Sequence, residues 1–200
     1  LAEGPLPELL RSARDQGTAF RAWVVGCATG EEAYTLAILV RETLDTLKGG
    51  PTVQIFATDV DQEAIETARV GRYPTGIAND LTANRLERFF VPEDNTYRIG
   101  RAIRDMVVFA EHNALQDPPF TRMDLISCRN LLIYLERDVQ KRLVPILGYA
   151  LRGRGVLVLG HSESPQELTD AFSVVNKQWR IYRIADPEAA HRLPDMPSRR

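Results

Sequence analysis

Five short stretches of the chain concentrate residue types that can hold or act on a polar ligand. In the first, Gly26-Cys27-Ala28-Thr29-Gly30-Glu31-Glu32, two glycines that let a ligand approach the backbone are followed at once by two carboxylates. Such a turn ahead of a helix aims free N–H groups and the positive end of the helix dipole at whatever it holds. A dinucleotide fingerprint reads G-x-G-x-x-G and sets a pyrophosphate on those amides. Here the pattern is G-x-A-x-G with Glu31 and Glu32 at its mouth, which repels phosphate and suits a cation or an amino group. The same glutamates would also do no more than complement the helix dipole.

The second stretch is Thr58-Asp59-Val60-Asp61. The Asp59 carboxylate can accept hydrogen bonds from both hydroxyls of a ribose, while Asp61 can cap the next helix. The third, Glu111-His112-Asn113-Ala114, offers in Asn113 either an amide that reads an adenine edge or a plain turn residue. The fourth puts Cys128, Arg129 and Asn130 together, with Tyr134 four residues beyond Asn130 and close to it if the backbone turns helically. The fifth, Gly160-His161-Ser162-Glu163-Ser164, has the residue types of a hydrolase but lacks the last glycine of the G-x-S-x-G nucleophile elbow and stands late in the chain. The set describes a site for an adenosine-type cofactor without phosphates and with positive charge. S-adenosylmethionine meets that description through its sulfonium and α-amino group.

The elements that must position these stretches alternate between strand and helix. Arg21–Val25 is a short apolar run closed by Gly26, followed by apolar residues at 33, 36, 37, 40, 44 and 47, the spacing of one helix face. Thr29 and Glu32 have the spacing of a capping box for that helix, and Gly49-Gly50-Pro51 ends it. Val53–Thr58 is the next strand, and Asp61 opens a helix through Ala64, Ile65 and Ala68 that stops at Gly71. From Tyr73 to Ile103 the rhythm breaks: a helix carrying Leu81, Leu86, Phe89 and Phe90 leads into Tyr97–Ile103, read as an inserted hairpin. Met106–Ala110, Asp124–Cys128, a helix over 137–151, then Gly155–Leu159 and Trp179–Ile184 complete the alternation. Buried strands alternating with helices predict an α/β fold, a mostly parallel sheet covered on both faces. Ligands of such sheets bind at the carboxyl ends of the strands, where all five stretches fall.

Composition narrows the classes. A length of 200 residues with 44% hydrophobic and 26% charged residues suits one globular domain, and a net charge of -2 gives no general pull toward nucleic acid or an anionic membrane surface. No apolar run reaches the roughly 18 residues of a membrane span, and no secretory signal is evident, so a cytoplasmic location is expected. Two cysteines, Cys27 and Cys128, lack metal-ligand spacing, so no metal is expected. Residues 185–200, with three prolines and three charges of each sign, read as a flexible tail or linker.

Four of the stretches, Gly26–Glu32, Ala57-Thr58-Asp59-Val60-Asp61, Cys128-Arg129-Asn130-Leu131-Leu132-Ile133-Tyr134 and Gly160–Ser164, together resemble the CheR family of chemotaxis receptor glutamate methyltransferases in wording, order and spacing, from about Trp23 to Tyr182. His112-Asn113 with Asp117-Pro118-Pro119-Phe120, and Lys177–Tyr182, look closest to the methyltransferase part of fusions with methylesterases. The resemblance implies a Rossmann-like S-adenosylmethionine-dependent methyltransferase sheet over residues 1–184, with a small antiparallel β subdomain inserted at about 90–105. It implies donor contacts from Gly26, Ala28, Glu31, Asp59, Asn113, Ala114, Arg129 and Asn130, with Tyr134 and Arg129 at the transferred methyl. It further implies S-adenosylhomocysteine as product, no metal, and chemoreceptor cytoplasmic regions as partners. The family's N-terminal helical domain is not in this sequence, and the chain, starting at Leu1, reads as beginning just after it. Ala28 stands where many members have serine, and Arg152-Gly153-Arg154-Gly155 where a Pro-Gly-Gly turn is usual. The alternative is a donor-binding or docking module without turnover, and a nicotinamide oxidoreductase is disfavoured by the glutamates at the phosphate position.

Overall fold

Strand β1 (Phe20–Val25) sends Phe20, Ala22 and Val24 into one hydrophobic core and Trp23 and Val25 into another. A strand apolar on both sides must be covered on both sides, which is why its sequence reads as a continuous run. The computed structural model describes residues 1–163 and 172–185. Its main sheet has seven strands in the order β6 (Val107–Glu111), β2 (Val53–Asp59), β1, β7 (Met123–Cys128), β8 (Leu151–Leu159), β10 (Ile181–Ile184) and β9 (Phe172–Asn176). The first five run parallel; β10 is antiparallel to β8, and β9 to β10.

Helix α2 (Glu31–Asp45) links β1 to β2, α3 (Gln62–Val70) follows β2, and α6 (Arg137–Ala150) links β7 to β8. From β1 the chain moves outward to β2 and then β6, and returns to β7 on the other side of β1. That reversal makes the carboxyl ends of β1 and its neighbours the crevice in which a doubly wound sheet binds ligands. The fold class read from the sequence is the one observed.

Several expectations need correction. Helix α1 (Pro5–Asp15) was not anticipated, although Leu6, Leu9, Leu10 and Ala13 have helical spacing and all are buried, with Pro5 in its first turn. The antiparallel insert is a three-stranded sheet, β3 (Arg72–Pro74), β5 (Thr96–Ile99) and β4 (Phe90–Glu93), preceded on the β4 side by α4 (Ala83–Phe89). It therefore begins earlier than 90, and its hairpin is β4–β5 rather than Tyr97–Ile103. The turn signal was Asp94-Asn95: Asp94 takes the left-handed conformation, φ 48°, that short Asx side chains tolerate. Phe90 is extended, and residues 101–104 form a helical turn, α5 (Arg101–Arg104). Strand β8 starts at Leu151 instead of 155, β10 at Ile181 instead of 179, and β9 was not expected. Ser164 of the fifth stretch and residues 186–200 of the expected tail lie outside the described residues. No helix among the described residues is long and apolar enough to cross a membrane.

Candidate functional site

The Gly26–Gly30 turn is shaped by backbone that favours glycine. Gly26 has φ 69° and Gly30 φ 93°, and Ala28 between them is also left-handed, φ 45°. At Gly30 a Cβ would stand 2.9 Å from Ala68 Cβ and 3.1 Å from the Phe109 ring, so the helix start packs against α3 and β6 with no room for a side chain. Gly30 itself is the N-cap of α2, without a side-chain bond. The predicted capping box does not form. Thr29 donates its hydroxyl to Glu31 (2.7 Å), and Glu32 turns away to accept the Ser127 hydroxyl at 2.5 Å. The Tyr73 hydroxyl, from the small sheet, donates to the Thr29 carbonyl at 2.9 Å and so fixes the turn from outside.

At the end of β2 the Asp59 carboxylate spans two segments. One oxygen accepts the Ala28 N–H at 2.8 Å and the other the Asp61 N–H at 3.1 Å, so the aspartate locks the β1 turn to the β2 turn. Each carboxylate oxygen has a further lone pair available for a ribose hydroxyl. Asp61 is the cap foreseen for α3, accepting from Glu63 N–H and Ala64 N–H at 2.9 and 3.1 Å. Asn113 forms a turn: its N–H donates to Asp117 and its side-chain oxygen accepts the Leu115 N–H. Its NH2 group is not used in that turn.

These ends close on a cavity of about 240 Å³ whose lining includes Gly26, Asp59, Asn113 and Ala114, with Leu131 and Leu135 as apolar wall. Mostly apolar walls with the Asp59 carboxylate, the Asn113 amide and the His112 imidazole suit an adenosine, so the residues present fit the adenosyl part of S-adenosylmethionine. A second cavity, about 230 Å³, lies beside the first turn of α2 and the ends of β7 and β8; Glu32, Ser127, Arg129, His161 and Trp179 line it. Arg129 stands 3.6 Å from Glu32, and the His161 and Trp179 rings meet edge to face at 5.5 Å. Burial raises the Glu32 carboxyl above its ordinary range, with the Ser127 bond and then Arg129 pulling it back down.

Of the donor contacts that the resemblance implies, Gly26, Asp59, Asn113 and Ala114 line the first cavity and Arg129 the second, where Glu32 joins it. Ala28, Glu31 and Asn130 lie outside both linings. Asn130 follows β7 in the left-handed region, φ 57°, and Tyr134 stands at the surface with 81% of its area exposed. The Ser127–Glu32 bond was not foreseen; the available signal for Ser127 was a hydroxyl in a strand buried at every residue. Burial, then Asp59, pushes the Cys27 thiol up to about 12, and burial raises Cys128 as well, which favours the protonated thiol at both. Among the described residues, no three His, Cys, Asp or Glu are grouped to hold a metal ion.

The sheet order, the glycine turn and the cavity at the strand ends are those of a doubly wound, ligand-binding α/β domain. The family model of the CheR methyltransferase SAM binding domain matches residues 2–181, and the chain belongs to that family. It is 46% identical over 190 residues to an uncharacterized 104.1 kDa protein of Rhodobacter capsulatus, covering 95% of this chain and 20% of that one. It is 37% identical over 175 residues to a putative methyltransferase, Cher3, of Pseudomonas putida (82% of this chain, 63% of the relative). With the chemotaxis protein methyltransferase of Escherichia coli it shares 32% over 177 residues (84% and 60%). The chain thus spans between a fifth and just under two thirds of these relatives.

Proposed function

We propose that this domain transfers a methyl group from S-adenosylmethionine to glutamate side-chain carboxylates of chemoreceptor cytoplasmic regions, as a protein-glutamate O-methyltransferase acting in the cytoplasm. The observation that carries the reading is the cavity where Gly26, Asp59, Asn113 and Ala114 meet. When bound, the donor supplies an electrophilic methyl and leaves as S-adenosylhomocysteine.

The chain's own residues then bind and orient. Asp59 accepts from the ribose hydroxyls while still fastening the Ala28 N–H, Asn113 addresses the adenine edge, and Ala114 packs against the base. Glu31, beside Thr29 in the turn, presents a carboxylate toward a cationic group, while Glu32 is held on Ser127 and faces Arg129. An exposed acceptor glutamate, with a pKa near 4.3, is already ionised at neutral pH, so no general base is needed. The methyl would pass to the carboxylate oxygen with the carbon–sulfur bonding pair left on sulfur, so what Asp59, Asn113 and Arg129 would supply is the hold on the two groups. Catalysis rests on placing the two in line, within about 3 to 3.5 Å. Arg129 and Asn130, on the segment after β7, orient donor and acceptor, and the exposed Tyr134 closes on the acceptor side.

The test is methyl transfer from radiolabelled donor to chemoreceptor cytoplasmic fragments, with release of label as methanol by alkali as the signature of an ester. Label that resists alkali, or binding of S-adenosylhomocysteine without transfer to any fragment, refutes the O-methyltransferase assignment. Tyr134→Phe is expected to lower turnover more than product affinity; unchanged turnover removes Tyr134 from the catalytic role.

A further inference from the structure

One buried carboxylate, Glu163, is not used by the site as described. It is 2% exposed. One of its oxygens accepts the Leu132 N–H at 2.7 Å; the other accepts the Gly160 N–H. Its two partners belong to different segments, the one that follows β7 and the one that follows β8. Leu132 opens a short 3-10 turn, Leu132–Tyr134, so its N–H is one of the donors that such a turn leaves without an internal acceptor.

The approach of the two segments is tight at another point as well. A Cβ on Gly160 would stand 2.6 Å from Asn130 Oδ1 and 2.9 Å from Asn130 N. Only glycine lets the end of β8 come this close to Asn130, which is itself held left-handed at φ 57°. We propose that Glu163 is a positioning residue: its carboxylate straps the Arg129–Tyr134 segment to the end of β8 and so sets where Arg129, Asn130 and Tyr134 stand. Its effect on catalysis rests on the methyl-transfer reading; the strap itself does not.

A glutamine in its place keeps the shape but must turn an NH2 group toward one of the two N–H donors, losing that bond. The control is Asp124→Asn. Asp124 is buried at the opposite end of β7, where it accepts the Arg21 N–H at 2.8 Å and pairs with Arg152 at 3.1 Å. Hydrogen exchange by mass spectrometry on Glu163→Gln is expected to speed exchange about tenfold in peptides spanning 129–135 and 160. Asp124→Asn should leave those peptides unchanged. Turnover of Glu163→Gln should fall about tenfold, with the KM for donor moving less than about threefold, while Asp124→Asn at equal loss of melting temperature keeps its turnover. If Glu163→Gln does not fold, Glu163→Asp, which retains the charge on a shorter arm, is read by the same exchange measurement and should fall between wild type and the glutamine prediction. Unchanged exchange at 129–135, or equal changes there in the Asp124 control, overturns the strap. Wild-type protein that transfers no methyl while Glu163→Gln still loosens 129–135 locally refutes the proposed function and upholds the strap.

Discussion

Gly30 carries both the turn and the start of α2, and replacing it with alanine separates two energies that the structure combines there. Its φ is 93°, and the added Cβ would meet Ala68 Cβ at 2.9 Å and Phe109 ring atoms at 3.1 Å. Gly17 is the reference: φ 64°, with nothing within 4 Å of its would-be Cβ. A left-handed alanine costs about 1 to 2 kcal/mol, and the stiffer unfolded chain returns about 0.4 to 1 kcal/mol. Gly17→Ala is therefore expected to destabilise by about 0.5 to 1 kcal/mol. At Gly30 the neighbours are the interior of α3 and a core ring, so overpacking adds about 1 to 3 kcal/mol and brings the total to about 2 to 4. Urea unfolding followed by the fluorescence of buried Trp23, with the slope held common, measures both. A Gly30→Ala loss no larger than that of Gly17→Ala would refute the claim that close packing, rather than φ alone, demands glycine in this turn.

Three further outcomes follow from single contacts. Asp61→Ala removes the cap that accepts from Glu63 and Ala64 N–H and should cost about 1 kcal/mol by the same unfolding assay, whereas Asp61→Ser should recover most of it. Glu32 has a folded-state pKa raised above its ordinary 4.5, chiefly by burial, so the stability tied to its protonated form is complete below about 4.5 and lost as pH rises through the folded value. Glu32→Gln, which cannot ionise, should gain on wild type as pH goes from about 4 to about 7; a difference constant across that range counts against burial as the cause. Tyr73→Phe removes the bond to the Thr29 carbonyl and should lower stability by about 1 kcal/mol and weaken S-adenosylhomocysteine binding by calorimetry, because the small sheet then no longer fixes the turn.

What the sequence made legible was whatever local chemistry dictates. β1 and β7 named their own strands because burial on both faces leaves little place for alternation, while β2, with Gln54 exposed near its start, was marked by Ile55, Phe56 and Ala57. Asp61 named its role because an aspartate before a helix has N–H donors within two and three residues to accept from. The strand ends that line the first cavity followed from the parallel order alone, since a crossover sheet puts the carboxyl ends of its strands along one edge. The insert was harder to place: strands of three and four residues carry little periodicity, and β3 pairs with a partner more than twenty residues away. Strand β9 is mostly exposed and lies at the sheet edge, so its sequence shows no buried face to detect.

The capping box shows why side-chain destinations lagged behind backbone elements. Thr29 and Glu32 have the spacing of a box, but that motif requires Thr29 to be the N-cap, and Gly30 holds that position in a conformation threonine would find costly. Freed from the helix end, Glu32 reaches the Ser127 hydroxyl on β7, ninety-five residues away in sequence. Nothing local encodes such a partnership from the glutamate's side. Its trace is on the partner, a hydroxyl in a strand buried at every residue, where an unsatisfied hydroxyl would be expensive to bury. Thr58 is the same case: buried at the end of β2, it accepts the Trp23 indole N–H at 2.9 Å. In both, the hydroxyl sits at the carboxyl end of a strand, so a buried polar residue there signals a long-range bond that holds the site together, even where the sequence cannot name its partner.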